Sequence, residues 1–282
     1  QKLEARGWEV TYLPVDSVGR IKLPLVKKAM TDQTVLFSVI HVNNETGTIQ
    51  PIGEIGRILK EYPSVLFHVD AVQSFGRIPL VPAKNNIHLL SISAHKIHGP
   101  KGVGCLYKRK NVLLDPLFGG GGQELGLRSG TPNVPGIAGL AKATISLDEK
   151  KDCFMQQAQQ WKELIIKRLT KSIGDIKVNG DISPEGGAPY IVSLSFPSLK
   201  SEVLVHALEE EEIYVGTKSA CSSKRNVPSR VLLAMGIDKN SALGTIRLSM
   251  GFETTERDIL RVIEVLERII PKYQRITKVF KK

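Results

Sequence analysis

Apolar positions in the first third of the chain come in short unbroken runs. "VLFSVIHV" at 35–42, "VLFHVDAVQ" at 65–73 and "LLSISAHK" at 89–96 are rich in β-branched and aromatic residues, and each run closes on polar side chains: Asn43, Asp70, and the pair His95 and Lys96. A strand wet on one face alternates, whereas a run that stays apolar belongs to a strand with both faces covered. Between the first two runs lies "PIGEIGRILKEY", an amphipathic helix with Pro51 suited to its first turn. Strand, helix and strand in succession predict a mainly parallel sheet covered by helices, an α/β fold. Ligands of such sheets sit at the carboxyl ends of the strands, so Asn43, Asp70, His95 and Lys96 are expected to face one pocket.

The pattern changes after the glycine cluster "FGGGGQELGLRSGTPN". Helical periodicity runs from Val134 to Lys171, with a break expected near Asp152. "YIVSLSF" and "TIRLSM" then read as strands among helices at Ser201 to Glu212, Ser229 to Met235 and Thr255 to Ile270, the last opened by a Thr255–Asp258 capping box. This half predicts a smaller C-terminal α+β domain, which divides the chain into a large domain over 1–152 and a small one over 153–282. The opening "QKLEARGWEV" reads as the end of a helix stopping near Gly7 and a strand from Trp8 to Leu13. Without an N-cap or an initiator Met, the chain is expected to start inside an element, as an N-terminally incomplete piece would; a processed mature protein is the competing explanation.

Charge and cysteine usage narrow the class. The net charge of +11 favours anionic partners, whether a phosphate-bearing ligand, an acidic carrier protein or RNA. No RNA-binding motif stands out, and the basic tail "KYQRITKVFKK" reads as a solvated or frayed helix end. Cys105, Cys153 and Cys221 are an odd number without close spacing, which points to reduced thiols and a cytoplasmic protein. No run of roughly 18 apolar residues exists to span a membrane, and the first residues are too polar for a signal peptide. The six histidines are dispersed, so no metal is expected.

Lys96 at the mouth of a core strand is costly unless it is paired or used covalently. With Asp70 at another strand end it fits pyridoxal phosphate chemistry, in which the amine attaches to the cofactor aldehyde and the carboxylate keeps the pyridine nitrogen protonated. A salt bridge between two sheet-edge residues explains the same spacing. Ser93 and His95 flank the lysine and can donate hydrogen bonds to a phosphate. Cys221 lies in "GTKSACSSKRN", where Lys218, Lys224 and Arg225 favour thiolate, although an incidental loop cysteine is the plainer reading. Cys105 is expected to be a small core residue, and Cys153 to open an amphipathic helix. Arg247, in "GTIRLSMG", requires an anion if buried: a substrate carboxylate, or a structural Asp or Glu.

Taken together, "HVNNETG", "HVDAVQ", "SAHKIHGPKGVG", "GGGGQELGLRSGT", "SACSS" and "TIRLSMG" stand in the order and approximate spacing of cysteine desulfurases of the NifS type, which the chain resembles from its first residue to about Pro271. The resemblance implies a fold-type I pyridoxal phosphate enzyme that converts L-cysteine to L-alanine and keeps the sulfur as a persulfide. It implies that Lys96 carries the cofactor, Asp70 pairs with its pyridinium, Gln73 donates to its hydroxyl, and Ser93 and His95 bind its phosphate. Thr131 would reach the phosphate of a neighbouring subunit in a homodimer. Asn43 would contact cofactor and substrate, Arg247 the substrate carboxylate, and Cys221 would take the sulfur. The form "SACSS" points to the group with the longer mobile loop. A sulfur-acceptor protein follows as partner, serving iron–sulfur cluster assembly or tRNA thiolation, with RNA contact only through that acceptor. In the family a considerable N-terminal region precedes the point where this chain starts, holding a histidine that stacks on the cofactor and a phosphate loop. The competing functions are a related lyase such as selenocysteine lyase and a non-catalytic scaffold.

Overall fold

The computed structural model describes residues 2–217 and 227–279. The chain divides into two compact units: a parallel-sheet unit of Thr31–His41 and Ile52–Lys151, and an antiparallel-sheet unit of Gln1–Met30, Val42–Pro51 and Asp152–Lys282. Residues 1–30 and 42–51 thus belong with the C-terminal part of the chain.

In the parallel-sheet unit, β1 (Leu36–Ile40), β2 (Leu66–Asp70), β3 (Leu89–Ser93) and β4 (Gly104–Lys108) stand in that order. The first three are parallel, and β4 returns antiparallel to β3. The register sets Ile40 opposite Asp70 and Asp70 opposite Ser91, so the polar strand ends named above lie along one carboxyl edge. Phe37, Val39, Phe67, Val69 and Leu90 form the buried face, with Phe37 and Phe67 edge-to-face at 5.8 Å. Helix α2 (Ile52–Leu59) buries Ile52, Ile55 and Leu59, the single stripe its spacing gives. Cover of the sheet is uneven. Burial alternates along β1, and the opposite face leaves Leu36, Ile40 and Leu106 exposed, at 43%, 41% and 51%. A run apolar on both sides could not reveal that difference.

The antiparallel-sheet unit is built on β5 (Lys177–Asn179), β6 (Ile191–Ser195) and β7 (Thr245–Ser249), in that order. Every residue of β6 is buried, including two serines. Their hydroxyls are satisfied in a chain: Asn179 Nδ2 donates to Ser193 Oγ at 3.2 Å and Ser195 Oγ at 2.8 Å, Ser195 meets Thr245 Oγ1 at 2.6 Å, and Thr245 donates to Ser241 O at 2.8 Å. A buried hydroxyl outside such a network would cost of order 1–3 kcal/mol. Helix α7 (Glu256–Val279) buries Ile259, Ile263, Leu266 and Ile270 at helical spacing. The capping box at its start is formed: Thr255 N and Oγ1 donate to Asp258 Oδ2 at 2.9 and 2.7 Å, and Asp258 N returns to Thr255 Oγ1 at 3.3 Å.

Four sequence expectations are corrected. Helix α3 (Val134–Ser172) runs unbroken past Asp152, because the polar stretch there contains neither Gly nor Pro and forms its own i,i+3 ion pair, Lys151 to Asp148 at 2.5 Å. Cys153 therefore lies inside a helix and does not open one; it is exposed. Residues 8–13 enter no sheet ladder, and Trp8 and Tyr12 are exposed, although the preceding turn does end at Gly7 with a left-handed φ of 87°. Cys105 is exposed on β4, not a core residue, since β4 borders the sheet among the described residues.

Candidate active site

Asp70 is the last residue of β2 and half-buried. Its Oδ1 accepts from Val72 N at 2.9 Å and its backbone carbonyl from His41 N at 2.9 Å, so both the carboxylate and the strand end are fixed in place. Beyond it the chain turns at once, with Ser74 N and Phe75 N both donating to Ala71 O, and Gln73 sits half-buried in that turn. On the neighbouring parallel strand, β3 passes into a short 3-10 turn over Ala94–Ile97 that carries Lys96. The turn stops at His98, whose φ of 64° is left-handed, and is tied down by Ala94 N to Val103 O at 3.0 Å and Gly99 N to Ala94 O at 2.9 Å. Gly102, at φ 77°, lets the backbone double back to make the first of these bonds. Arg77 Nη2 donates to the Lys96 carbonyl at 3.2 Å. Asp70 and Lys96 thus stand at the same carboxyl edge on adjacent parallel strands.

Ser93 Oγ lies 2.7 Å from His95 Nδ1, joining the two polar residues that flank the lysine. Thr131 is exposed, between a glycine-rich stretch that folds on itself and the start of α3. Gly130 N donates to Gln123 Oε1 at 3.1 Å and Ser129 Oγ to Gly121 O at 2.9 Å, while Asn133 Oδ1 accepts from Gly136 N at 3.1 Å in the manner of a helix cap.

Sequence reasoning missed His68. Its Nδ1 meets Ser38 Oγ at 2.8 Å and its Nε2 meets Ser91 Oγ at 2.9 Å, so one imidazole spans three strands on the face that carries Asp70. Burial lowers its pKa, and the nearby Asp70 charge opposes that shift. The available signal was positional: Ser38, His68 and Ser91 each stand two residues before the end of a strand.

His41, buried beside the Asp70 backbone, is pushed down to a pKa of about 4 by desolvation, and its Nδ1 has no hydrogen-bond partner. Because the folded pKa lies below the unfolded value of 6.5, the unfolded chain binds the proton first, and stability falls as pH drops from 6.5 toward 4. The difference corresponds to at most about 3 kcal/mol. Urea unfolding at pH 7 and pH 4.5 should show a larger loss in the wild type than in His41→Gln; equal losses would assign the acid sensitivity elsewhere.

The other predicted residues belong to the antiparallel-sheet unit. Asn43 Oδ1 caps its own turn, accepting from Glu45 N at 2.9 Å, Thr46 N at 3.0 Å and Thr46 Oγ1 at 3.3 Å. That use of the oxygen orients the amide nitrogen as the group available to donate. Arg247 is half-buried on β7, with Nη1 donating to Asn44 O at 2.7 Å and Nε to Ser249 Oγ at 3.1 Å. Burial lowers its pKa and the charge of Glu45 raises it. Glu45 is a second residue the sequence did not single out. Cys221, with Lys218, Lys224 and Arg225, lies outside the described residues.

The family described as Aminotransferase class-V matches residues 1–262. The chain is 42% identical over 275 residues to the cysteine desulfurase IscS of Dictyoglomus turgidum, covering 98% of this chain and 69% of that protein. It is 43% identical over 270 residues to the cysteine desulfurase IscS of Clostridium botulinum strain Hall, covering 96% and 68%. Among solved structures it is similar to a NifS-like protein, with a TM-score of 0.87 and 38% identity over 96% of this chain and 70% of the other.

Proposed function

Since the chain belongs to the aminotransferase class-V family, among its cysteine desulfurases of the IscS and NifS type, we propose that it takes sulfur from L-cysteine, releases L-alanine and holds the sulfur as a persulfide on Cys221. It is a pyridoxal phosphate enzyme. The donor set at the carboxyl edge fits that cofactor: a primary amine at Lys96, a carboxylate at Asp70 on the adjacent parallel strand, and the hydrogen-bonded pair Ser93 and His95 between them in sequence. When bound, pyridoxal phosphate supplies an electron sink for the carbon that bears the substrate amine.

The chain's own residues do the rest. Lys96 would hold the cofactor covalently through its amine, and the same amine, when free, would be the base that moves the proton from the substrate Cα. Asp70 holds a proton on the pyridine nitrogen by charge, and its fixed Oδ1 keeps the carboxylate oriented. Gln73 donates to the cofactor hydroxyl. Ser93 and His95 bind the phosphate, joined by Thr131 from a second copy of the chain. Asn43 and Arg247 grip the substrate carboxylate. The Cys221 thiolate then forms an S–S bond to the substrate sulfur as the Cβ–S bond breaks, and Cβ takes a proton to leave as alanine.

The single observation that carries the reading is the placement of Asp70 and Lys96 at one carboxyl edge of a parallel sheet, in a chain with this family membership. A homodimer with shared sites is supported by the exposure of Thr131. A sulfur-acceptor protein with an acidic docking face is favoured by the net charge of +11. A cytoplasmic location is supported by unpaired, exposed Cys105 and Cys153; among the described residues no helix is long and apolar enough to cross a membrane.

Incubating the cofactor-loaded protein with L-cysteine tests the proposal. Chromatography should detect alanine, and mass spectrometry of the peptide holding Cys221 should detect one added sulfur atom. Alanine formed while Cys221 stays unmodified would refute the persulfide assignment.

A further inference from the structure

Around Arg247 the antiparallel-sheet unit holds an arrangement that the reading above leaves unused. On one side Gly216 and Arg247 exchange backbone bonds, Gly216 N to Arg247 O at 3.0 Å and Arg247 N to Gly216 O at 2.5 Å. The guanidinium lies so close to Gly216 that a Cβ there would stand 2.7 Å from Nη2, so a side chain at that position would push the guanidinium aside. On the other side Asn44 O accepts from Nη1. Glu45, the next residue, directs its carboxylate to Ser229, whose Oγ donates to Oε2 at 2.5 Å. Ser229 is buried and also caps helix α5 (Arg230–Ala234), its Oγ accepting from Leu232 N at 3.2 Å.

A half-buried guanidinium needs a counter-charge whether or not substrate is present. Glu45 follows the residue whose carbonyl Arg247 binds, and its charge already acts on Arg247. Its carboxylate is at the same time held by the Ser229 hydroxyl. On the premise that Arg247 grips the substrate carboxylate, we infer that Glu45 is a positioning residue: a resident carboxylate that stands in for the substrate's at Arg247 and yields to it, restrained by Ser229. Glu45 therefore sets how tightly a carboxylate ligand is held, and favours release of alanine after turnover. Ser229 makes the ligand's task easier by holding back part of the competing charge.

Opposite signs follow for the two partners. Glu45→Gln removes the competing charge yet keeps an oxygen that can accept from Ser229. Ser229→Ala keeps the charge and frees it to move toward Arg247. The probe is 3-mercaptopropionate, which carries the carboxylate and thiol of cysteine but no amine to react with the cofactor, titrated calorimetrically into the cofactor-loaded protein. Its Kd should fall about three- to tenfold in Glu45→Gln, the scale of removing one nearby charge at a partly screened site, and rise in Ser229→Ala. Ser229→Thr, which retains the hydroxyl, should bind like the wild type. A steady-state KM for cysteine should shift in the same directions as the Kd values.

If Arg247→Ala loses binding while Glu45→Gln binds no tighter than wild type, the inference about Glu45 is overturned and the role of Arg247 stands. If Arg247→Ala binds the probe as well as wild type, the premise fails and the inference with it. Should Glu45→Gln not fold, Ser229→Ala against Ser229→Thr decides alone, and equal affinities would overturn the inference.

Discussion

Replacing Lys96 with alanine is expected to lower alanine formation about ten-thousandfold, the scale associated with losing both a covalent anchor and a positioned base. The fold should survive, since alanine favours the short helical turn over Ala94–Ile97 and the backbone carbonyl at position 96 still accepts from Arg77. Two further signatures separate this outcome from unfolding. The visible absorbance that depends on the lysine–cofactor bond should vanish, and added pyridoxal phosphate should wash out on dialysis while the melting temperature stays within a few degrees of the wild type. Retained absorbance in Lys96→Ala would move the anchor to another lysine and end the site assignment. Asp70 supplies an internal control. Asp70→Asn keeps the contact with Val72 N but removes the charge, and should leave the covalent bond to Lys96 in place while activity falls.

Cys221→Ala should abolish capture of sulfur and cut alanine formation about a thousandfold, comparable to removing the nucleophile in other covalent mechanisms. Cofactor absorbance should remain that of the wild type, because the residue acts on the substrate sulfur and not on the cofactor. The same variant discriminates between enzyme classes. A lyase that needs no persulfide would keep producing alanine and release the sulfur at the zero oxidation level, recovered as sulfide only when a thiol reductant is added, so an active Cys221→Ala protein would replace the desulfurase reading with that one. Cys105 and Cys153 are exposed and serve as comparison thiols: Cys105→Ala and Cys153→Ala should leave both alanine and persulfide yields unchanged.

Much of the site was legible because parallel strands impose a simple rule: side chains that end consecutive apolar runs collect at one edge. The place of Asp70 and Lys96 at one edge followed from that rule, their chemical roles from the resemblance, and the register shows β2 and β3 as parallel neighbours. The capping box at Thr255 was equally local, a matter of two residues three apart. Features that depend on contacts distant in sequence were not legible. His68 reads as one polar residue in an apolar strand until Ser38 and Ser91, 30 and 23 residues away, bring a hydroxyl to each ring nitrogen. Glu45 and Ser229 are 184 residues apart, and no spacing in the chain announces them as partners.

What the sequence determined by itself was local: which runs form strands, where those strands end in chemistry, and which family those ends resemble. Hydrophobic periodicity and capping act over a few residues, so they are written in the order of the chain. Tertiary structure alone decided that 1–30 and 42–51 fold with the C-terminal part, that α3 passes unbroken through Asp152, and that a buried network of hydroxyls satisfies β6. Those outcomes depend on which distant groups can pair and how closely backbones approach, and such pairings exist only once the chain has closed on itself.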